Sequence, residues 1–169
     1  MSITLDGSNV GTVGVVNSGT AQNTTSGTSI DFTGIPAGVK RITVMLAGVS
    51  TNGTYSVLLQ LGAGSITSTG YAAVGTTASN GSSPACVGYT TGFGDASQSS
   101  ANTRSGSIVF TSIGSNTWVC NGAGAYEGQL AYWLYGGKVT LSGTLDRVRL
   151  TTVNGTDTFD AGSANILYE

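Results

Sequence analysis

Lys40-Arg-Ile-Thr-Val-Met-Leu-Ala-Gly-Val-Ser-Thr-Asn-Gly-Thr-Tyr-Ser-Val-Leu-Leu-Gln-Leu-Gly62 decides the fold class. From Arg41 to Val49 both faces of the alternating pattern are apolar, with Ile42, Val44 and Leu46 on one and Met45 and Ala47 on the other. Such a strand belongs in an interior or at a subunit contact, because neither face suits water. Farther on, Tyr55, Val57, Leu59 and Leu61 recur at every second position and give a second strand one apolar face. Between them stands Thr51-Asn-Gly-Thr54, and Asn-Gly accepts the positive φ angles of a type I′ turn. The stretch 40–62 therefore predicts a β-hairpin turning at Asn52-Gly53.

Outward from this stretch the chain reads as strands divided by turn residues. Thr28-Ser-Ile-Asp-Phe-Thr33 alternates Ile30 and Phe32 with polar neighbours and ends at Gly34-Ile-Pro-Ala-Gly38. Further strands are expected over 65–74, 85–93, 104–113, 117–126, 129–135, 138–144, 146–153 and 164–168. No window carries a capped 3.6-residue period, so little or no helix is expected. Residues 1–24, with Ile3, Leu5, Val10, Val13, Val15 and Val16 among small polar residues, predict a short strand or an extended attachment arm preceding a domain over 25–169.

Composition narrows the function classes. There is no histidine, and Lys, Arg, Asp and Glu make up 8% of the chain, so material for acid–base chemistry is scarce and an enzyme is not expected. Six basic residues with no run longer than Lys40-Arg41 cannot form a phosphate-neutralising stripe, which argues against nucleic acid. No apolar run approaches a membrane span, and Met1-Ser-Ile-Thr-Leu-Asp lacks the basic start and apolar centre of a signal peptide. The protein is expected to be made and folded in the cytoplasm. The 27 glycines are irregularly spaced, which excludes collagen, and 39% hydrophobic residues exclude a disordered chain.

Several small motifs read as structure rather than chemistry. Cys86 and Cys120 lack metal-ligand spacing and read as small apolar residues, with a disulfide after release as the alternative; no metal or cofactor is expected. Gly122-Ala-Gly-Ala-Tyr-Glu127 has no following helix or lysine and reads as a strand, not a phosphate loop. Asp157 and Asp160 could serve a glycosidase, but they sit in the turn signals Asn154-Gly-Thr-Asp157 and Asp160-Ala-Gly162.

Binding surfaces are the remaining reading. Residues 76–104 hold long polar stretches around an apolar island at 85–93, the arrangement of recognition loops on a rigid scaffold, with Tyr71, Tyr89 and Phe93 as candidate receptor contacts. Tyr126, Tyr132, Trp133 and Tyr135 are too many large rings for a solvent face. Tyr132 and Trp133 are therefore candidate contacts between subunits. Arg147 and Arg149 alternate with Val148 and Leu150 and are candidates for the same role, pairing with Asp146, Asp31 or Glu169 of a neighbouring chain, if they are not simply solvated.

Ile30–Thr54, followed in order by Gln60-Leu-Gly62, Thr91-Gly-Phe93, Gly106-Ser-Ile-Val-Phe110, Trp118, Leu145-Asp-Arg-Val-Arg149 and Phe159-Asp-Ala-Gly162, resembles a tail-fibre-type β domain of tailed bacteriophages. The resemblance covers roughly residues 25–169. It implies an antiparallel β-sandwich of jelly-roll character, a homotrimer, displayed on a virion and without enzymatic activity. With no heptad or collagen-like shaft, two placements follow. One is a short tail-fibre or fibre-tip module that attaches to bacterial surface glycans or proteins. The other is a decoration or head-fibre protein on the capsid.

Overall fold

The computed structural model describes residues 15–97 and 99–169. Its strands in chain order are β1 Asn17–Ser18, β2 Gln22–Asn23, β3 Ile30–Thr33, β4 Arg41–Thr51, β5 Val57–Ala63, β6 Ser65–Ile66 and β7 Ala72–Ser79. There follow β8 Ala85–Tyr89, β9 Phe93–Gly94, β10 Arg104–Gly114, β11 Thr117–Tyr126, β12 Ala131–Thr140, β13 Arg147–Thr152 and β14 Phe159–Tyr168. Among the described residues there is no helix, in agreement with the missing helical period.

All strand pairs are antiparallel and form two sheets, an arrangement consistent with a β-sandwich. The large sheet runs β1-β14-β4-β10-β11-β12-β7-β8, with β2 also on β14; the small sheet runs β3-β13-β5-β6, with β9 also on β5. Successive strands cross repeatedly between sheets, from β3 to β4 to β5 to β7 and from β12 to β13 to β14. The sandwich is thus laced across its core and is not a stack of local hairpins.

Period-two alternation builds the interior. Ile42, Val44 and Leu46 of β4 point inward beside Ile108 and Phe110 of β10, opposite Val57, Leu59 and Leu61 of β5 and Val148 and Leu150 of β13, and all are buried. Each such side chain contributes roughly 1.5–3 kcal/mol relative to exposure. One inward row of the large sheet reads Ala164, Leu46, Gly106, Gly124, Trp133 and Thr77 from β14 to β7. Its glycines make room for the indole: a Cβ on Gly124 would lie 2.1 Å from Trp133 Cζ2. A small residue beside the largest one keeps the layer filled without a clash.

The expected hairpin at 40–62 does not form. β4 lies in the large sheet between β14 and β10, whereas β5 lies in the small sheet between β13 and the β6 and β9 segments, so 52–56 is an arch joining the two layers. Long-range partners take the groups that a hairpin would have used. The Asn52 N–H donates to the Thr158 carbonyl at 2.9 Å, the Thr158 N–H donates to Asn52 Oδ1 at 2.9 Å, and the Tyr55 N–H donates to Asp157 Oδ2 at 3.0 Å. Gly53 does not use a positive φ here; its missing side chain admits the Asp157 carboxylate, whose Cγ would stand 2.0 Å from a Cβ. Tyr55, expected on the apolar face, is exposed.

Other boundaries shift for similar reasons. The strand expected at 65–74 divides into β6, a short partner of β5, and β7, because residues 67–71 cross between layers with the Tyr71 N–H on the Thr90 carbonyl. The strands expected at 129–135 and 138–144 are one strand, β12, running through Gly136-Gly137. A Cβ on Gly137 would press within 2.5 Å of Ala73 Cα on the neighbouring β7. The arm boundary at 24/25 also moves. β1 and β2 pair with β14, the buried Thr24 bonds Ala161 and Gly162, and Gln22 donates to the Asp31 carbonyl of edge strand β3 at 2.8 Å. Residues 17–24 are therefore part of the sandwich, while the arm expected over residues 1–14 lies outside the described residues.

Candidate functional site

The segment 76–104 is not one continuous recognition loop. Residues 80–84 form an exposed turn between β7 and β8, with Gly81 at φ 77°. At the other end of β8 the chain bends through Thr90 and Thr91, crosses to the small sheet as β9, and returns to the large sheet as β10. The two exposed parts of the segment thus sit at opposite ends of β8.

This route places the three candidate receptor contacts in the core. Phe93 packs edge-on against Tyr71 with centroids 5.0 Å apart and against Phe110 at 5.4 Å. Tyr71 Oη donates to the Thr67 carbonyl at 2.9 Å and accepts the Leu61 N–H at 2.9 Å. Tyr89 Oη donates to the Asp95 carbonyl. Tyr71, Tyr89 and Phe93 are all buried, so they shape the loops and cannot contact a receptor themselves. Burial pushes the Tyr71 phenol up to about 12 against the opposing Leu61 hydrogen bond, which keeps it neutral and able to donate.

The returning segment is held by an ion pair that the sequence reading did not single out. Arg104, at the start of β10, places Nε on Asp95 Oδ2, and the two side chains are 1% and 0% exposed. Tyr126 Oη donates to the same carboxylate at 3.0 Å, and the Arg104 guanidinium stands 5.6 Å from the Tyr126 ring centroid. Arg104 Nη1 donates to the Asn102 carbonyl at 3.0 Å, Asn102 Nδ2 to Ser97 Oγ, and Ser56 Oγ to the Ser97 carbonyl at 2.6 Å. Burial works against the Arg104 charge, but Asp95 outweighs it and raises the guanidinium further. Burial, reinforced by the Asp95 charge, also raises Tyr126 and Tyr135. One signal was legible beforehand: Asp95 and Arg104 are the only charged residues within 76–104.

The candidate subunit contacts separate into two groups. Trp133 is fully buried within its own chain, packed at a tilt against Tyr135 with centroids 4.9 Å apart, so it is a core residue. Tyr132 points the other way and is half exposed. Arg147 and Arg149 take partners from their own chain, correcting the expectation of a neighbouring one. Arg147 holds Asp146 at 2.7 and 3.0 Å, and Arg149 holds Asp31 through two contacts of 2.6 Å. The Arg147 hydrogen bond pulls the Asp146 carboxyl below the usual carboxylate range. Glu169 pairs with Arg41 at 2.5 Å.

Asp157 and Asp160 also serve the scaffold. Asp157 accepts from Tyr55 and Asn154, and Asp160 accepts from Ser50. Cys120 faces the core and Cys86 lies exposed on edge strand β8; both thiols are free, and burial pushes the Cys120 thiol far up, leaving it inert.

The broadest surface feature is the outer face of the large sheet. One outward row reads Asn165, Met45, Ser107, Ala123, Leu134, Thr76 and Cys86 from β14 to β8; the next reads Leu167, Thr43, Val109, Asn121, Gly136, Val74 and Gly88. Neither row carries a charge. Val74, Tyr132 and Leu134 are exposed large hydrophobics on this face. Its charges lie at the two ends, Arg41, Lys138 and Glu169 at one and Glu127, which accepts from Ser105 Oγ, at the other. No family model, curated protein or solved structure matches this chain.

Proposed function

We infer that the protein is a virion structural module of a tailed bacteriophage, a homotrimeric short tail-fibre or fibre-tip domain that attaches to the host surface. The observation that carries this reading is the pair of uncharged central rows on the outer face of the large sheet, where Met45, Val109, Leu134 and Val74 lie in register beside small residues. A face of this composition is suited to burial against other copies of the chain. The sequence likeness to tail-fibre-type β domains supports the phage setting, and the repeated crossing between sheets supports the jelly-roll character. In this arrangement the large sheets face inward, while the small sheets and the 80–84 and 90–92 bends face outward. The protein supplies binding rather than catalysis: the carboxylates among its described residues are tied to arginines, hydroxyls or backbone N–H groups of the scaffold.

Gold-labelled antibodies against the protein test the placement on purified particles. Label at the tail end supports the fibre reading. Label spread over the head moves the protein to the capsid-decoration reading, and unlabelled particles from an infection that expresses the protein overturn both.

A further inference from the structure

The outer face of the small sheet carries a groove of about 360 Å³. Its floor is Leu58 and Gln60 of β5 with Arg149 and Thr151 of β13, and its walls include Ser68 and Thr91. Thr91 belongs to the bend that follows β8, so the groove joins the small sheet to one exposed end of the 76–104 segment.

The polar groups of this groove are fixed by the protein but not exhausted by it. Gln60 is 9% exposed, and its Nε2 donates to the Thr91 carbonyl at 2.8 Å, which fixes the amide; no described residue donates to its Oε1. Thr151 Oγ1 donates to the Thr28 carbonyl at 2.9 Å and keeps its acceptor lone pairs. Arg149 uses Nε and Nη2 on Asp31, so among the described residues its Nη1 has no protein acceptor. Rigid strands hold donors and acceptors side by side, and their geometry does not have to be assembled on binding.

This chemistry selects a ligand class. An anion would find one guanidinium, already matched by Asp31. A nucleobase or other flat ring would find no aromatic side chain to stack on, because none lines the groove. An apolar ligand would meet a lining dominated by hydroxyl, amide and ion-paired groups. A neutral polyol fits, since each of its hydroxyls both donates and accepts and so matches mixed groups carrying no net charge. We propose that this groove is a binding subsite for a neutral saccharide, held by Gln60, Thr91, Thr151 and Arg149, whose charge Asp31 offsets from outside the groove. The proposal deepens the attachment reading and rests on it for its biological setting.

The test uses the intact protein on an array of neutral oligosaccharides built from glucose, galactose, mannose, rhamnose and N-acetylglucosamine, with sialylated glycans alongside. The expected result is binding to at least one neutral class. Gln60→Met should weaken it by about tenfold, the loss of roughly one hydrogen bond. Ser68→Tyr, a substitution at an exposed loop position, should weaken it similarly by occupying the groove without touching the core, and replacement of the 80–84 turn should leave it unchanged. Binding only to sialylated glycans, no binding at millimolar sugar, or binding indifferent to Ser68→Tyr overturns the proposal. The array needs no particle, so its failure is distinct from failure of the attachment reading, which is decided on virions.

Discussion

Arg104 and Asp95 form a fully buried ion pair that fastens the segment returning from the small sheet to the start of β10. Tyr126 donates to the same carboxylate, and Asn102 and Ser97 extend the bonding to Ser56 on the rim of β5. A pair without solvent becomes a liability when one member is removed, because the other charge is left uncompensated.

Arg104→Met is therefore expected to cost about 3–5 kcal/mol in urea unfolding, and Asp95→Asn with Arg104→Met together less than the sum of the two single changes. Strict additivity of the pair in a double-mutant cycle would mean that the contact carries no coupling energy.

The arch between the layers depends on Asp157. Asp157→Ala removes the acceptor for the Tyr55 N–H and for Asn154 Nδ2, and is expected to destabilise by about 1–3 kcal/mol. Gly53→Ala alone should also destabilise, since its Cβ would meet the Asp157 carboxylate. In the Asp157→Ala background the Gly53→Ala penalty should shrink. An undiminished penalty would show that Gly53 is required for some other reason.

Alkaline stability follows from the buried phenols. Burial raises Tyr71 in the folded state from the ordinary 10.0 to about 12, and Tyr89, Tyr126 and Tyr135 move in the same direction. The unfolded chain therefore releases these protons first as pH rises. The stability they contribute is complete below pH 10 and is lost between 10 and about 12 for Tyr71. Tyrosinate absorbance of this group should rise together with loss of near-ultraviolet circular dichroism. A gradual rise with intact dichroism would contradict the burial of these rings.

How far the sequence could be read is clearest at residues 40–62. Alternation in Ile42, Val44 and Leu46 and in Val57, Leu59 and Leu61 was legible, because it is a local property of a strand facing a core. Which sheet each strand joins was not, because Asn52 and Tyr55 are bound by Thr158 and Asp157 about a hundred residues away. Ring size likewise identified Tyr71, Phe93 and Trp133 as notable without telling inside from outside. Arg149 and Asp31 were both visible as candidates, but their pairing within one chain required the β3–β13 register. The groove over Gln60 combines ordinary polar residues of two strands with those of the loops around them and had no linear signature.

The outer face of the large sheet gives a direct expectation for assembly. The purified protein should have about three times the 16.9 kDa chain mass by light scattering at micromolar concentration. Leu134→Lys should lower that mass, since it places a charge in the middle of the uncharged rows. A wild-type monomer or dimer would remove the trimer from the account.

Attachment to the host is the central claim, and adsorption of particles measures it most directly. Exchange of the exposed 81–84 turn and the Thr90-Thr91 bend, leaving Tyr89, Phe93 and Asp95 in place, preserves the core. Particles carrying this altered protein are expected to assemble with normal composition and to adsorb to host cells more slowly than the parent. Adsorption at the parental rate, with the altered protein present and its assembly intact, would contradict the claim.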